Sequence, residues 1–251
     1  MLAPLFQGEW RAHGETLDCG PVPPPGAIRL DTLIEHPTRL ADIMRCHAAH
    51  WATADLRPVA SAWSLRYLGA LLPPVMAAAS LLQQALPVAP AAMHLMLGEH
   101  GEPLRFHMRD EGMPLPGTDT TRRYRPLIDQ HLGPLFAALH HATRVPTKLL
   151  WGNASRYVES ILEHALTVSG HAARVLADQE QLLGCKRWPD GTPNPLHGWK
   201  QAAERRGRDG AVVRLHRQCC LQYLLPGEGQ CGACPLTPRP CRERLLPLRG
   251  L

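Results

Sequence analysis

The stretch RQCCLQYLLPGEGQCGACPLTPRPC, from Arg217 to Cys241, constrains this chain more than any other. It carries Cys219, Cys220, Cys231 and Cys234 in the pattern C-C-x10-C-x2-C, and four thiols so close together point to a metal centre. The pair Cys231-Gly-Ala-Cys234 has the two-residue gap at which a tight turn aims two sulfurs at one metal, with Gly232 relieving the backbone. A structural zinc site usually draws its other two ligands from a second spaced pair. Here the partners are adjacent, and adjacent side chains diverge in an extended backbone. That suits a centre with more than one metal atom, such as a [2Fe-2S] cluster held by four thiolates. A structural zinc module is the alternative.

The rest of the composition excludes more than it assigns. The eight cysteines are sparse until the end, and no basic stretch followed by an apolar one opens the chain, so reduced thiols and a cytoplasmic location are expected. Cys19, Cys46 and Cys185 read as reduced, small, packed or bystander thiols. A formal charge of +5 is far short of a nucleic-acid patch. Arg122, Arg123 and Arg125, and later Arg205, Arg206 and Arg208, are short clusters of the kind that lie solvated or receive an acidic protein. No G-x-G-x2-G opens a βαβ unit, and neither a P-loop nor G-x-S-x-G occurs, so bound nucleotide and hydrolase chemistry have no visible site.

Along the chain, residues 1–29 are rich in Pro and Gly and read as a surface loop or arm. From Asp31 the apolar spacing turns helical, with Pro37 breaking the run. His47, His50 and Trp51 have no third ligand-type residue at matching spacing and read as a packed group. Tyr67 to Gly98 holds no Asp, Glu, Lys or Arg. Pro73-Pro74, Gln83-Gln84, Pro87 and Pro90 interrupt it before the roughly 20 residues a membrane span needs, so buried helices joined by a proline bend are expected. A peripheral contact with the inner membrane is the second reading.

Met93, Leu95 and Leu97, then Leu104, Phe106 and Met108, alternate on either side of Gly98-Glu99-His100-Gly101 and predict a β-hairpin. Its other face shows Arg105, His107 and Arg109, either a solvent face or a cationic wall for a ligand. Thr120 or Thr121 caps a helical stretch through His141, Pro146 opens the next, and Ser169 caps another through Leu183. Val212, Val213 and Leu215 form a short strand entering the cysteine segment. The expected class is α+β: helix-rich, with a small antiparallel β-hairpin or sheet and a short cysteine-rich iron-sulfur segment. The divisions are 1–30, the arm; 31–210, the helix-rich region; and 211–251, the cysteine segment.

Cys219-Cys220-Leu221, Tyr223, Leu225-Pro226-Gly227, Cys231-Gly232 and Cys234-Pro235 resemble the C-terminal signature of the FhuF-type ferric siderophore reductases. Leu150-Trp151-Gly152-Asn153 resembles a second motif of that family. The resemblance implies a [2Fe-2S] cluster on Cys219, Cys220, Cys231 and Cys234, a siderophore-binding region over 31–210, and Trp151 and Asn153 as supports of the cluster or substrate pocket. With Arg105 and His107 of the hairpin, these are the candidate substrate contacts. Cys241 falls outside the pattern.

The implied activity is one-electron reduction of iron(III) in a siderophore, of hydroxamate type, with iron(II) released in the cytoplasm. An external ferredoxin-like or flavoprotein donor would supply the electron. Hard siderophore oxygens hold compact iron(III) far better than iron(II), so one electron weakens the complex. The cysteine motif alone also permits a non-enzymatic redox sensor or electron carrier.

Overall fold

The computed structural model describes residue 6 and residues 8–199, 203–206 and 212–236. A 3-10 segment, Gly8–Glu15, leads into β1 (Leu17–Cys19) and β2 (Ile28–Arg29). Helix α1 (Leu30–Glu35) follows; the run breaks before Pro37 as expected, at non-helical His36, and Pro37 opens α2 (Pro37–His50), where a first-turn position needs no donor. Helix α3 spans Leu56–Ala77, capped by the Asp55 carboxylate accepting from the Arg57 amide at 3.0 Å, and continues as a π-helical turn through Ala78–Leu82.

Helix α3 is the axis of the core. Trp63, Tyr67, Leu68, Leu71 and Leu72 are fully buried along it, and it packs against α6 and the sheet. Instead of the two expected helices joined at the prolines, one helix continues without interruption through Pro73 and Pro74. Each proline lacks the N–H that would bond the carbonyl four residues back, which frees the carbonyls of Gly69 and Ala70. The N-terminal segment takes both: His13 Nδ1 donates to Gly69 O at 3.0 Å and Thr16 Oγ1 donates to Ala70 O at 2.7 Å. The resulting 27-residue helix is long and apolar enough to cross a membrane, and 72% of its apolar window is buried inside the fold.

After β3 (Gln84–Ala85) comes the expected hairpin, β4 (Met93–Leu97) and β5 (Pro103–Met108). The four-stranded sheet has the order β1-β5-β4-β2, with β1 parallel to β5 and the other pairs antiparallel. Residues 17–29 therefore supply both edge strands instead of a free arm. The alternation fails at one end: a register shift between Met96 and Leu97 leaves Leu104 exposed, while His107 is buried under the β1 exit, its Nε2 donating to Gly20 O at 3.0 Å. β6 (Met113–Pro114) pairs with β3.

Helix α4 (Thr120–Arg125) passes through a π-helical stretch, Pro126–Leu132, into α5 (Gly133–Thr143), giving the expected long run. Its cap is Asp119, not a threonine: the carboxylate accepts from the Arg122 amide at 2.8 Å. Thr120 is used inside the core, donating at 2.7 Å to Asp178, which also accepts from Ser80 at 2.7 Å and pairs with buried Arg123. In the same core the Tyr67 hydroxyl donates to His131 Nε2 at 2.5 Å, while His131 Nδ1 donates to Val88 O at 2.6 Å. That pattern fixes one neutral tautomer, and burial holds the imidazole down at about 4.

Helix α6 (Thr147–Val168) follows Pro146, and α7 (Ala173–Gln179) ends in a π-helical turn, Glu180–Gly184. Ser169 precedes α7 by a turn and accepts from the Ala172 amide at 3.3 Å; the cap residue itself is Ala172. A final antiparallel hairpin, β7 (Ala203–Arg206) and β8 (Val212–Leu215), delivers the chain to the cysteines.

Candidate metal centre

The cysteine segment is a short loop without regular strands, held at three points. Arg214 of β8 grips the Glu163 carboxylate of α6 at 2.9 and 3.0 Å, and the His216 amide donates to Ala233 O at 2.8 Å, closing the loop on itself. Leu225 is buried against Ala48 of α2 and Val59 of α3. Between these ties the backbone turns sharply at Leu221, whose φ of 61° is left-handed, and at Gly227, φ 83°. A left-handed leucine costs about 1–2 kcal/mol, so the surrounding ties over-determine it. Gly232, in contrast, has an ordinary backbone; the Cys231–Cys234 turn is closed by the Cys234 amide donating to Cys231 O at 2.9 Å.

These turns bring the four thiols together as two contacting pairs, Cys220 with Cys231 and Cys219 with Cys234. Each pair joins one buried cysteine, Cys220 or Cys234, to one half-buried cysteine. A donor set of four thiolates in one segment, two of them buried, fits a [2Fe-2S] cluster.

Backbone donors reinforce that fit, because hydrogen bonds to sulfur tune such clusters. The Leu221 amide donates to Cys219 Sγ at 3.4 Å, and the Gln222 amide donates to Cys220. The Cys220 thiol lies well below its ordinary range, chiefly through the Cys231 thiol donating to it, with help from the Gln222 amide and the Arg156 charge against the effect of burial. Cys231 is pushed up by the same contact, followed by burial, and Cys219 is raised mainly by burial.

Behind the loop stand α3 and α6. Ser61 Oγ donates to Cys220 O at 2.6 Å and accepts from Asn153 Nδ2 at 3.1 Å, while Asn153 Nδ2 also reaches Ser64 Oγ at 3.0 Å. All three polar residues are buried. One residue earlier, Gly152 lies so close to the loop that a Cβ there would sit 2.9 Å from Gln218 Cβ. On the same face of α6, Arg156 Nη2 donates to Gln218 O at 3.0 Å. The cysteine loop is thus docked on a strip made by Gly152, Asn153 and Arg156.

The structure separates the other sequence candidates. Asn153 supports Cys220 from inside the core. Trp151 is half-buried and meets Phe136 edge-on at 4.8 Å. Arg105 is exposed and paired with Asp18 at 3.3 Å. His107 is buried and lines a cavity of about 360 Å³ with Arg29, His94 and Arg109, none of whose lining residues comes from α6 or the cysteine loop. Cys241 and the side chains of Arg205, Arg206 and Arg208 lie outside the described residues. Sequence reasoning missed Ser61 and Arg156. Their signals were weak but present: two serines three apart in an otherwise apolar helix, and an arginine one turn beyond Gly152 on the same face.

Comparison with known proteins agrees with this geometry. Residues 61–209 match the family described as ferric iron reductase FhuF-like transporter, and residues 217–236 match the FhuF 2Fe-2S C-terminal domain. A ferric siderophore reductase of Escherichia coli (strain K12) is 32% identical over 181 residues, covering 72% of this chain and 66% of that protein. The chain thus spans just under two thirds of that relative's length. ATP-bound aerobactin synthetase from a hypervirulent pathotype of Klebsiella pneumoniae shares the fold over 68% of this chain and 37% of its own, with a TM-score of 0.55 and 14% identity. The C-terminal match assigns a [2Fe-2S] cofactor and sets aside the zinc alternative.

Proposed function

The chain belongs to the ferric iron reductase FhuF-like family, and on that premise we propose that it delivers one electron to iron(III) held in a siderophore, releasing iron(II) in the cytoplasm. The observation that carries this reading is the arrangement of Cys219, Cys220, Cys231 and Cys234 as two pairs, each with one buried and one half-buried thiol. When bound, the [2Fe-2S] cluster supplies one electron at a time at a potential set by burial and by hydrogen bonds to sulfur.

The chain's own residues hold that potential and control access. Ser61, Asn153 and Arg156 fix the inner side of the loop from α3 and α6, and the Leu221 and Gln222 amides donate to its sulfurs. The half-buried Cys219 and Cys231 leave the outer side open for a ferric siderophore and for an electron donor of ferredoxin or flavoprotein type. Reduction balances simply: one electron converts siderophore-bound iron(III) to iron(II), whose weaker hold on hard oxygen ligands frees it. A hydroxamate siderophore suits this logic, since its released oxygens take up protons from water.

Steady reduction of a ferric hydroxamate, followed by an iron(II)-specific chelator dye under anaerobic conditions with a chemical reductant and mediator, tests the proposal. Colour should form with the wild-type protein and fall to background with Cys231→Ser. Equal rates for the two proteins would overturn it.

A further inference from the structure

We propose that Arg156 is a positioning residue that places a fixed positive charge against Cys220 and thereby raises the reduction potential of the cluster. Three observations converge on it. Its Nη2 donates to the Gln218 carbonyl at 3.0 Å, two residues before Cys220. That bond holds a permanent cation beside the cysteine segment, and its charge helps to lower the Cys220 thiol. Its Nε is buried and, among the described residues, has no hydrogen-bond partner, so this part of the charged head is withdrawn from water.

The local architecture explains why an arginine is needed there. Gly152, four residues earlier, removes the side chain that would otherwise hold the loop off α6, since a Cβ would meet Gln218 Cβ at 2.9 Å. With the backbone that close, a planar guanidinium reaches the loop carbonyl from one helix position. A lysine is a point charge on a flexible stem and keeps the charge while holding the loop less rigidly.

The energetic consequence follows from charge. A cluster held by four thiolates is anionic, and the added electron makes it more so, so a cation held beside the ligand segment stabilises the reduced form over the oxidised form. Arginine stays protonated throughout, so no proton is exchanged at this side chain. The same side chain fixes the carbonyl of Gln218, and with it the backbone that would present Cys220 to the cluster. This inference uses the [2Fe-2S] cofactor but not the siderophore activity, and its test contains no siderophore.

The test is a spectroelectrochemical titration of the full chain, loaded with cluster, as wild type, Arg156→Gln and Arg156→Lys. Iron and sulfide content are measured first, so that potentials are compared at equal loading. Arg156→Gln should favour oxidation by about tenfold at a fixed applied potential, which for one electron is about 59 mV downward. Arg156→Lys, which keeps the charge, should stay within about threefold of wild type while its EPR signal broadens as the loop loosens. Equal potentials for wild type and Arg156→Gln would overturn the proposal. So would an Arg156→Lys potential as low as that of Arg156→Gln. Should Arg156→Gln fail to hold a cluster, Arg156→Met serves as the charge-free variant: a cluster about tenfold more oxidised than that of Arg156→Lys at the same applied potential supports the charge role, and equal potentials refute it.

Discussion

Ser61→Ala isolates what the helical strip does for the cysteine loop. Ser61 Oγ donates to the carbonyl of Cys220 at 2.6 Å, and Cys220 is buried, so removing the hydroxyl leaves a desolvated carbonyl without that partner. Such a loss costs about 1–3 kcal/mol. The mutation also removes the acceptor that Asn153 uses at 3.1 Å, but Asn153 keeps Ser64 at 3.0 Å, so this second loss is partly offset. The volume change is one oxygen atom, too small to disturb the packing of Trp63 and Tyr67 on the same helix. The cost therefore falls on the docked loop, whose opening should become about 5- to 150-fold more populated. The assay is the decay of visible absorbance in an excess of iron chelator, under conditions where loss scales with opening. The half-life should shorten within that range, while the midpoint of global unfolding moves by far less than the change in cluster lifetime implies. A wild-type half-life in Ser61→Ala would refute the reasoning.

Further outcomes follow from other parts of the molecule. Cys231→Ser should lose or severely alter the [2Fe-2S] spectrum, whereas Cys46→Ser, on the exposed side of α2, should keep wild-type iron and sulfide. Thr16→Val leaves the Ala70 carbonyl, already deprived of a donor by Pro74, without its Thr16 bond, and should lower stability by about 1–3 kcal/mol in urea unfolding. Asp178→Ala strands buried Arg123 and should cost about 3–5 kcal/mol by the same measurement. His131 is held near 4 in the fold against 6.5 for the free side chain, so the unfolded chain binds the proton first as pH falls. The stability it contributes is present above about pH 6.5 and is lost progressively down to about pH 4. Between pH 7 and 5 the loss is about 2 kcal/mol, and it should shrink in His131→Gln.

Much of this was legible locally. The hairpin of β4 and β5 announces itself by alternation around Gly98–Gly101, and α6 by Pro146 followed by helical spacing. The four cluster cysteines stand out because their spacing is chemical and needs no tertiary information. What stayed hidden depends on partners far away in the chain. The strands at Leu17–Cys19 and Ile28–Arg29 are two or three residues long and exist only because β4 and β5 offer them edges. The double proline looked like a break because the compensating donors, His13 and Thr16, lie more than fifty residues earlier. Asn153 could be read from sequence only as a support of the cluster or of the substrate pocket, because its partners Ser61, which braces the cysteine loop, and Ser64 lie about ninety residues away. The pairing of Cys220 with Cys231 and of Cys219 with Cys234 likewise depends on the turns at Leu221 and Gly227, which no spacing rule specifies.

The most direct measurement is an anaerobic single turnover: protein reduced by one electron, freed of reductant, then mixed with a ferric hydroxamate siderophore while visible absorbance, EPR and an iron(II) trap are followed together. The account predicts that the reduced [2Fe-2S] signal disappears as one iron(II) is trapped for each cluster reoxidised. A reduced signal that persists in the presence of the siderophore, with no iron(II) trapped, would contradict it.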